Sequence, residues 1–99
     1  MSGEAQYQVV DQFDETLGPT VFALDIPTAP DSKQIDAVII QVTVADVDVN
    51  FTGEDPATNP FVTIAVGQFL EVTEYPDVKN LRFLGDTAVL KITYYTKMN

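Results

Sequence analysis

The sequence predicts a single all-β domain, a β-sandwich or jelly roll of about seven to eight strands. Runs of β-branched and aromatic residues alternate with Gly, Pro, Asp and Asn, which is typical of short strands joined by turns. No segment has a convincing helical period. The chain has 99 residues, of which 45% are hydrophobic, so it can build one core of modest size.

The predicted strands cover residues 7–10, 20–26, 35–51, 62–66, 69–73, 78–83 and 87–96. Residues 27–32 contain two prolines and are predicted to form a surface loop. We assign residues 19–99 to the sandwich domain. Residues 1–18, which Gly18 and Pro19 separate from it, have two interpretations. They form either an N-terminal arm that adds a strand to a neighbouring subunit, or an ordinary first strand.

In the long run 35–51, the apolar residues change from even-numbered to odd-numbered positions in the middle. Its first half has apolar residues at Val38, Ile40, Val42 and Val44, and its second half has them at Val47, Val49 and Phe51. A single straight strand would turn its apolar face to water halfway along. We therefore expect a bulge or bend at Ala45 and Asp46, which gives two strands or one strand that turns a corner between sheets.

The C-terminal strand carries apolar residues on both faces, although Thr87, Lys91 and Thr93 also lie on the second face. One face carries Ala88, Leu90, Ile92 and Tyr94. Val89 and Tyr95 lie on the opposite face, so that face is expected to be covered by a second layer or to meet a partner.

The charge balance narrows the range of partners. Fifteen acidic residues and five basic ones give a formal charge of −10. Nucleic acids and anionic membranes are not expected partners, because phosphate contacts need Lys and Arg. Solubility explains most of the acidity, and a basic partner surface is the alternative explanation.

The residue types argue against an enzyme. The chain lacks His, Cys and Trp, which rules out Ser-His-Asp and Cys-His arrangements and His-ligated zinc. No glycine-rich phosphate loop is present. Asp46 and Asp48 could form a carboxylate pair, but a domain with short loops has little room for a substrate cleft. We predict no catalytic residues and no cofactor.

The segment from Asp46 to Asn50 matches the D-x-D-x-N opening of a calcium loop. The match ends at Phe51, where the loop needs Gly, and at Ala57, where it needs Glu. We therefore predict no metal site and a solvated strand face carrying Asp46, Asp48 and Asn50. Asp46 and Asp48 remain candidates for contacts with a basic partner.

Aromatic residues divide into predicted core and predicted interface. The six phenylalanines (Phe13, Phe22, Phe51, Phe61, Phe69 and Phe83) are predicted to be mainly core. Tyr75, Tyr94 and Tyr95 are interface candidates, because tyrosine is an amphipathic anchor. Tyr75 is placed in a loop. Tyr7 and Phe13 join the candidates through the arm interpretation.

An ordered series of short motifs supports a resemblance. It comprises Ile39-Ile40-Gln41, Val47-x-Val49-x-Phe51, Gly53-x-Asp55-Pro56-Ala57-Thr58, Val66-Gly67 before Phe69-Leu70-Glu71-Val72, Val78-Lys79-Asn80-Leu81-Arg82-Phe83, and the final strand ending in Tyr94-Tyr95. Over residues 35–95 the chain resembles small virion structural proteins of tailed bacteriophages and prophages. Several of those are head decoration, or cement, proteins. Asp48 stands where an Arg is common in that group.

The resemblance implies a role and no active site. It implies a protein made in the host cytoplasm that binds the major capsid protein on the outer capsid surface. It also implies a homo-oligomer, with a trimer favoured. The alternatives are a small tail or baseplate component, or a carbohydrate- or calcium-binding β-sandwich adhesion module.

Overall fold

The computed structural model describes residues 6–30 and 33–98, which form eight strands and one short helix. The elements are β1 (Gln6–Thr16), β2 (Phe22–Ala23), β3 (Ala37–Thr43), β4 (Val47–Asn50), β5 (Val62–Ile64), β6 (Phe69–Val72), α1 (Tyr75–Lys79), β7 (Arg82–Leu84) and β8 (Val89–Met98). No helix among these residues is long and apolar enough to cross a membrane.

The strands form two antiparallel sheets of four. The first sheet has the order β1-β8-β3-β6 and the second has the order β2-β7-β4-β5. Consecutive strands therefore tend to lie in opposite sheets, which is the arrangement of an eight-stranded jelly roll. The predicted fold class is confirmed.

The core lies between the two sheets and follows the period of two expected for strands. β3 contributes Val38, Ile40 and Val42, and β8 contributes Leu90, Ile92 and Tyr94, all nearly or fully buried. Val47, Val49 and Phe83 contact this cluster from the second sheet. The predicted buried face of the C-terminal strand, including Ala88, is confirmed.

The predicted corner in the long apolar run is confirmed. β3 ends at Thr43 in the first sheet, and β4 begins at Val47 in the second sheet. Val44 lies between them with a φ of 75°, a left-handed conformation that is unusual for a β-branched residue. Because the chain turns here, Val44 is exposed rather than buried with its predicted partners.

The strand predicted over residues 78–83 is partly wrong. A helical turn, α1, occupies Tyr75–Lys79, and only Arg82–Leu84 forms a strand. Pro76 lies in the first turn of α1, where its fixed φ favours a helix. Val78 and Leu81 are both fully buried, and their spacing of three places them on one face of a helical turn, whereas in a strand they would point to opposite faces.

Residues 6–16 form a first strand on the domain itself. β1 pairs with β8 along its whole length, with a bulge between Val9 and Asp11. Leu17 then fixes the end of the strand: its amide donates to Ala88 and its carbonyl accepts from Thr87. The alternative arm that packs on a neighbour stays a prediction, and residues 1–5 lie outside the described ranges.

Candidate binding surfaces

The first sheet has a solvent-facing side that we call the outer face. Its rows follow from the strand register: Val9, Tyr95 and Ala37 lie side by side, and so do Thr93, Ile39 and Glu71. The outer face comprises Tyr7, Val9, Gln12, Asp14 and Thr16 of β1, Val89, Lys91, Thr93, Tyr95 and Lys97 of β8, Ala37, Ile39, Gln41 and Thr43 of β3, and Phe69 and Glu71 of β6.

Two of the predicted partner-binding residues meet on the outer face. The rings of Tyr7 and Tyr95 form an edge-to-face pair with centroids 6.3 Å apart. Together with Ala37, Ile39 and Glu71 they line a hollow of about 150 Å³. Tyr7 is 39% exposed, so the rim of this hollow is accessible.

Phe69 also lies on the outer face, and its predicted place in the core is wrong. Its ring is 65% exposed. Phe69 pairs with Gln41, so it points to the side opposite Leu70 and Val72, which face the core. The sequence could have indicated this orientation, because Phe69 and Val72 are three residues apart and therefore point to opposite faces of a strand.

The charges of the outer face are balanced. Asp14 and Lys91 form an exposed ion pair with an N–O distance of 3.4 Å. Glu71 and Lys97 are the other two charged residues on this face. The outer face therefore carries no net charge, although the whole chain carries −10.

A second apolar surface lies at the loop between β4 and β5. We call it the loop patch; it consists of Phe51, Phe61 and Val62, each 40% exposed or more. Together with Pro60 and the polar residues Asn50, Thr52 and Glu54 they line a hollow of about 360 Å³.

The predicted core positions of Phe51 and Phe61 are therefore wrong. Phe83 is buried as predicted, and Phe22 is half-buried against it.

The Asn50 side chain holds the loop between β4 and β5 in its conformation through hydrogen bonds. Its Oδ1 accepts hydrogen bonds from the amides of Thr52 and Glu54, at 2.8 and 2.9 Å, and from the Thr52 hydroxyl at 3.0 Å. Its Nδ2 donates to the carbonyl of Pro60 at 2.8 Å. The prediction of a solvated Asn50 is wrong, because the side chain is buried and satisfies the backbone of the loop.

Asp46 and Asp48 lie near the surface as predicted, but both carboxylates have partners within the chain. Asp46 precedes β4 and accepts a hydrogen bond from the amide of Val66 at 3.0 Å. Asp48 lies in β4 and accepts one from the hydroxyl of Thr63 at 2.8 Å. Within residues 6–30 and 33–98, no group of three or more acidic side chains is arranged to hold a metal ion.

Phe13 and Tyr75 lie apart from the Tyr7–Tyr95 pair. Phe13 is half-buried on the inner side of β1, where its ring centroid lies 6.0 Å from that of Tyr94. Tyr75 is not in a loop but begins α1, and it lines a separate hollow of about 240 Å³ with Ile26 and Lys33 among others. The six predicted site residues are thus spread over several parts of the surface.

Tyr94 is a core residue, so its predicted interface role is wrong. Its hydroxyl is buried and has no hydrogen-bond partner among the described residues. Burial raises the pKa of this hydroxyl well above its ordinary value, and the negative charges of Asp25, Asp11 and Glu15 raise the pKa further. The hydroxyl therefore stays protonated and neutral at physiological pH.

Comparison of the chain with protein-family models, with curated proteins and with solved structures finds no match. The interpretation of the outer face and the loop patch therefore depends on their own chemistry.

Proposed function

We propose that this chain is a non-catalytic structural protein of a tailed-phage virion, a decoration protein that binds the major capsid protein on the outside of the head. The observation that carries the proposal is the presence of two groups of exposed apolar side chains on one small jelly roll: Tyr7, Val9 and Phe69 on the outer face, and the loop patch. Exposed apolar patches of this kind on a small domain mark sites of protein association. The resemblance supplies the virion as the assembly.

The fold is compatible with this role without specifying it. Double-sheet jelly rolls occur in viral capsid proteins, and also in lectins and cupins. A fold shared by so many functions supports the proposal only by analogy.

The loop patch is the proposed contact with the capsid. Phe61, 52% exposed, and Phe51 supply aromatic anchors, and Glu54 supplies a negative charge at their edge. Asn50 holds the loop in its shape through four hydrogen bonds, so little conformational entropy is lost on binding. These features fit a capsid surface with an apolar depression bordered by basic residues.

The proposal includes self-association, with a trimer favoured by the resemblance. Several linked copies would each contact a capsid subunit. Multivalent attachment of this kind strengthens binding without any new type of contact. The outer face is available for contacts between copies, because it lies on the first sheet, away from the loop between β4 and β5.

Cosedimentation with phage heads tests the proposal. Purified full-length chain is mixed with heads assembled without it, and the bound fraction is measured. We expect saturable binding that Phe61→Asp reduces at least tenfold. Val21→Asp is the matched control, because Val21 is an exposed apolar residue outside both surfaces, and we expect it to bind like the wild type.

The location of the chain in whole particles separates the remaining possibilities. We expect antibodies to the chain to label heads. Labelling of isolated tails alone would replace the decoration role with the tail or baseplate alternative. Absence of the chain from both fractions would refute the virion proposal. No observation on the described residues favours the carbohydrate- or calcium-binding alternative.

A further inference from the structure

We infer that the outer face of the first sheet binds a second copy of the same chain, face to face about a twofold axis. The inference rests on the self-association included in the proposed function, and it departs from the trimer favoured there, because an isologous twofold contact closes with two copies. It names the surface, the partner and the symmetry of the contact. Four features of the described residues support it: charge, shape, area and the design of the strand edges.

The first feature is charge. Two acidic and two basic residues leave the outer face neutral, whereas the rest of the chain has thirteen acidic residues and three basic ones. Two copies that met through a surface of net negative charge would repel each other, because like charges would face one another across the contact. The outer face avoids that repulsion.

The second feature is shape. The most exposed aromatic ring on the outer face, Phe69, and the hollow between Tyr7 and Tyr95 lie on the same face. Glu71, which lines the hollow, is two residues from Phe69, about 7 Å along the strand. A cavity of roughly 150 Å³ accommodates a benzene ring. A twofold axis lying between ring and hollow places Phe69 of each copy over the hollow of the other.

The third feature is area. Four strands about 4.8 Å apart, with β8 ten residues long at about 3.3 Å each, give a flat face of roughly 500–600 Å². Side-chain relief raises the accessible area above that of the flat face. Two such faces together bury about 1,000–1,200 Å², which is the lower limit of a specific interface.

The fourth feature is the design of the edges, which directs association to the face. One edge of the first sheet is β1, which carries Asp11, Asp14 and Glu15 and has a bulge beside Val9. Acidic residues and bulges are devices that block strand-to-strand pairing at an edge. The opposite edge, β6, has only four residues. Two copies therefore associate better through the sheet face than through either edge.

Analytical ultracentrifugation of the purified full-length chain is the first test. We expect a dimer at tens of micromolar, and we expect Phe69→Asp to weaken the dimer at least tenfold. Phe61→Asp and Val21→Asp add the same charge at exposed apolar sites off the outer face, so both should leave the dimer unchanged. Circular dichroism checks that each variant stays folded.

Cysteine cross-linking tests the geometry. The chain has no Cys, so any disulfide must come from the introduced residues. We expect an equimolar mixture of Phe69→Cys and Tyr7→Cys chains to form mixed disulfide dimers in preference to either homodimer. A mixture of Phe61→Cys and Tyr7→Cys chains should not show that preference.

A wild-type chain that sediments as a monomer or as a trimer overturns the twofold contact. A dimer that Phe61→Asp dissociates while Phe69→Asp does not would overturn the assignment to the outer face. Binding to phage heads is measured separately, with Phe61→Asp as its sensitive variant. Failure of the self-contact and failure of capsid attachment are therefore distinguished.

Discussion

The rings of Phe13 and Tyr94 pack against each other with centroids 6.0 Å apart, and this contact helps to close the core beneath β1. Phe13 comes from the edge strand and is only half-buried, whereas Tyr94 comes from the central strand β8 and is fully buried. The Tyr94 hydroxyl has no hydrogen-bond partner among the described residues. The ring therefore stabilises the core, while the hydroxyl has a desolvation cost without compensation.

Tyr94→Phe should therefore preserve or increase stability. Removing a buried hydroxyl that lacks a partner relieves a cost of about 1–3 kcal/mol, less the small packing contribution of the oxygen. We expect the free energy of unfolding, measured by urea denaturation, to rise by up to about 1 kcal/mol. Tyr94→Ala is the contrasting variant and should destabilise by about 3–5 kcal/mol through the cavity it leaves. A loss of more than about 1 kcal/mol in Tyr94→Phe would contradict the unpartnered state of the hydroxyl.

The raised pKa of Tyr94 predicts a stability difference at alkaline pH. The unfolded chain releases this proton near the ordinary value of 10.0, whereas the folded chain retains it to higher pH because of burial and the nearby carboxylates. Above pH 10 the folded state thus binds more protons than the unfolded state. The free energy of unfolding therefore falls as the pH rises. We expect the wild type to lose stability between pH 10 and pH 11 more steeply than Tyr94→Phe, as measured by urea denaturation at each pH.

The fold was predicted well, because alternating apolar and polar residues indicate strands and Gly, Pro, Asp and Asn indicate the turns between them. The change in parity between Val42 and Val47 located the corner between the two sheets, and the alternation in β8 identified its buried face. The prediction went wrong where a short segment suits more than one structure. Val78 and Leu81 are three residues apart, which suits one face of a helical turn, whereas Leu81 and Phe83 are two residues apart, which suits one face of a strand.

The candidate surfaces were predicted less well, because the identity of a large aromatic residue does not indicate whether its side chain is buried or exposed. Phe51, Phe61 and Phe69 follow apolar strands or begin them, yet each lies at an edge or in a loop and stays exposed. The contact between Tyr7 and Tyr95 depends on the pairing of the first strand with the last. That pairing joins the two ends of the chain, and no local pattern predicts it.

Asn50 should be more important for stability than its place in a broken calcium motif suggests. Asn50→Ala removes four hydrogen bonds and leaves the amides of Thr52 and Glu54 and the carbonyl of Pro60 without these partners. We expect a loss of about 2–3 kcal/mol in the free energy of unfolding. Asn59→Ala is the matched control, because the Asn59 amide makes only exposed hydrogen bonds to Asp55 and Thr58, and it should cost less than about 1 kcal/mol. Equal effects of the two substitutions would contradict the organising role of Asn50.

Asp48→Asn should change the free energy of unfolding by no more than about 0.5 kcal/mol, which is usual at accessible sites. The substituted side chain keeps an oxygen that can accept the hydrogen bond from the Thr63 hydroxyl. Chelator should not shift the melting temperature, because the oxygen of Asn50 is already engaged by the loop and Asp46 accepts from the amide of Val66. A ligand of the folded state would stabilise it by mass action. A clear drop in melting temperature on adding chelator, reversed by calcium, would revive the adhesion-module alternative.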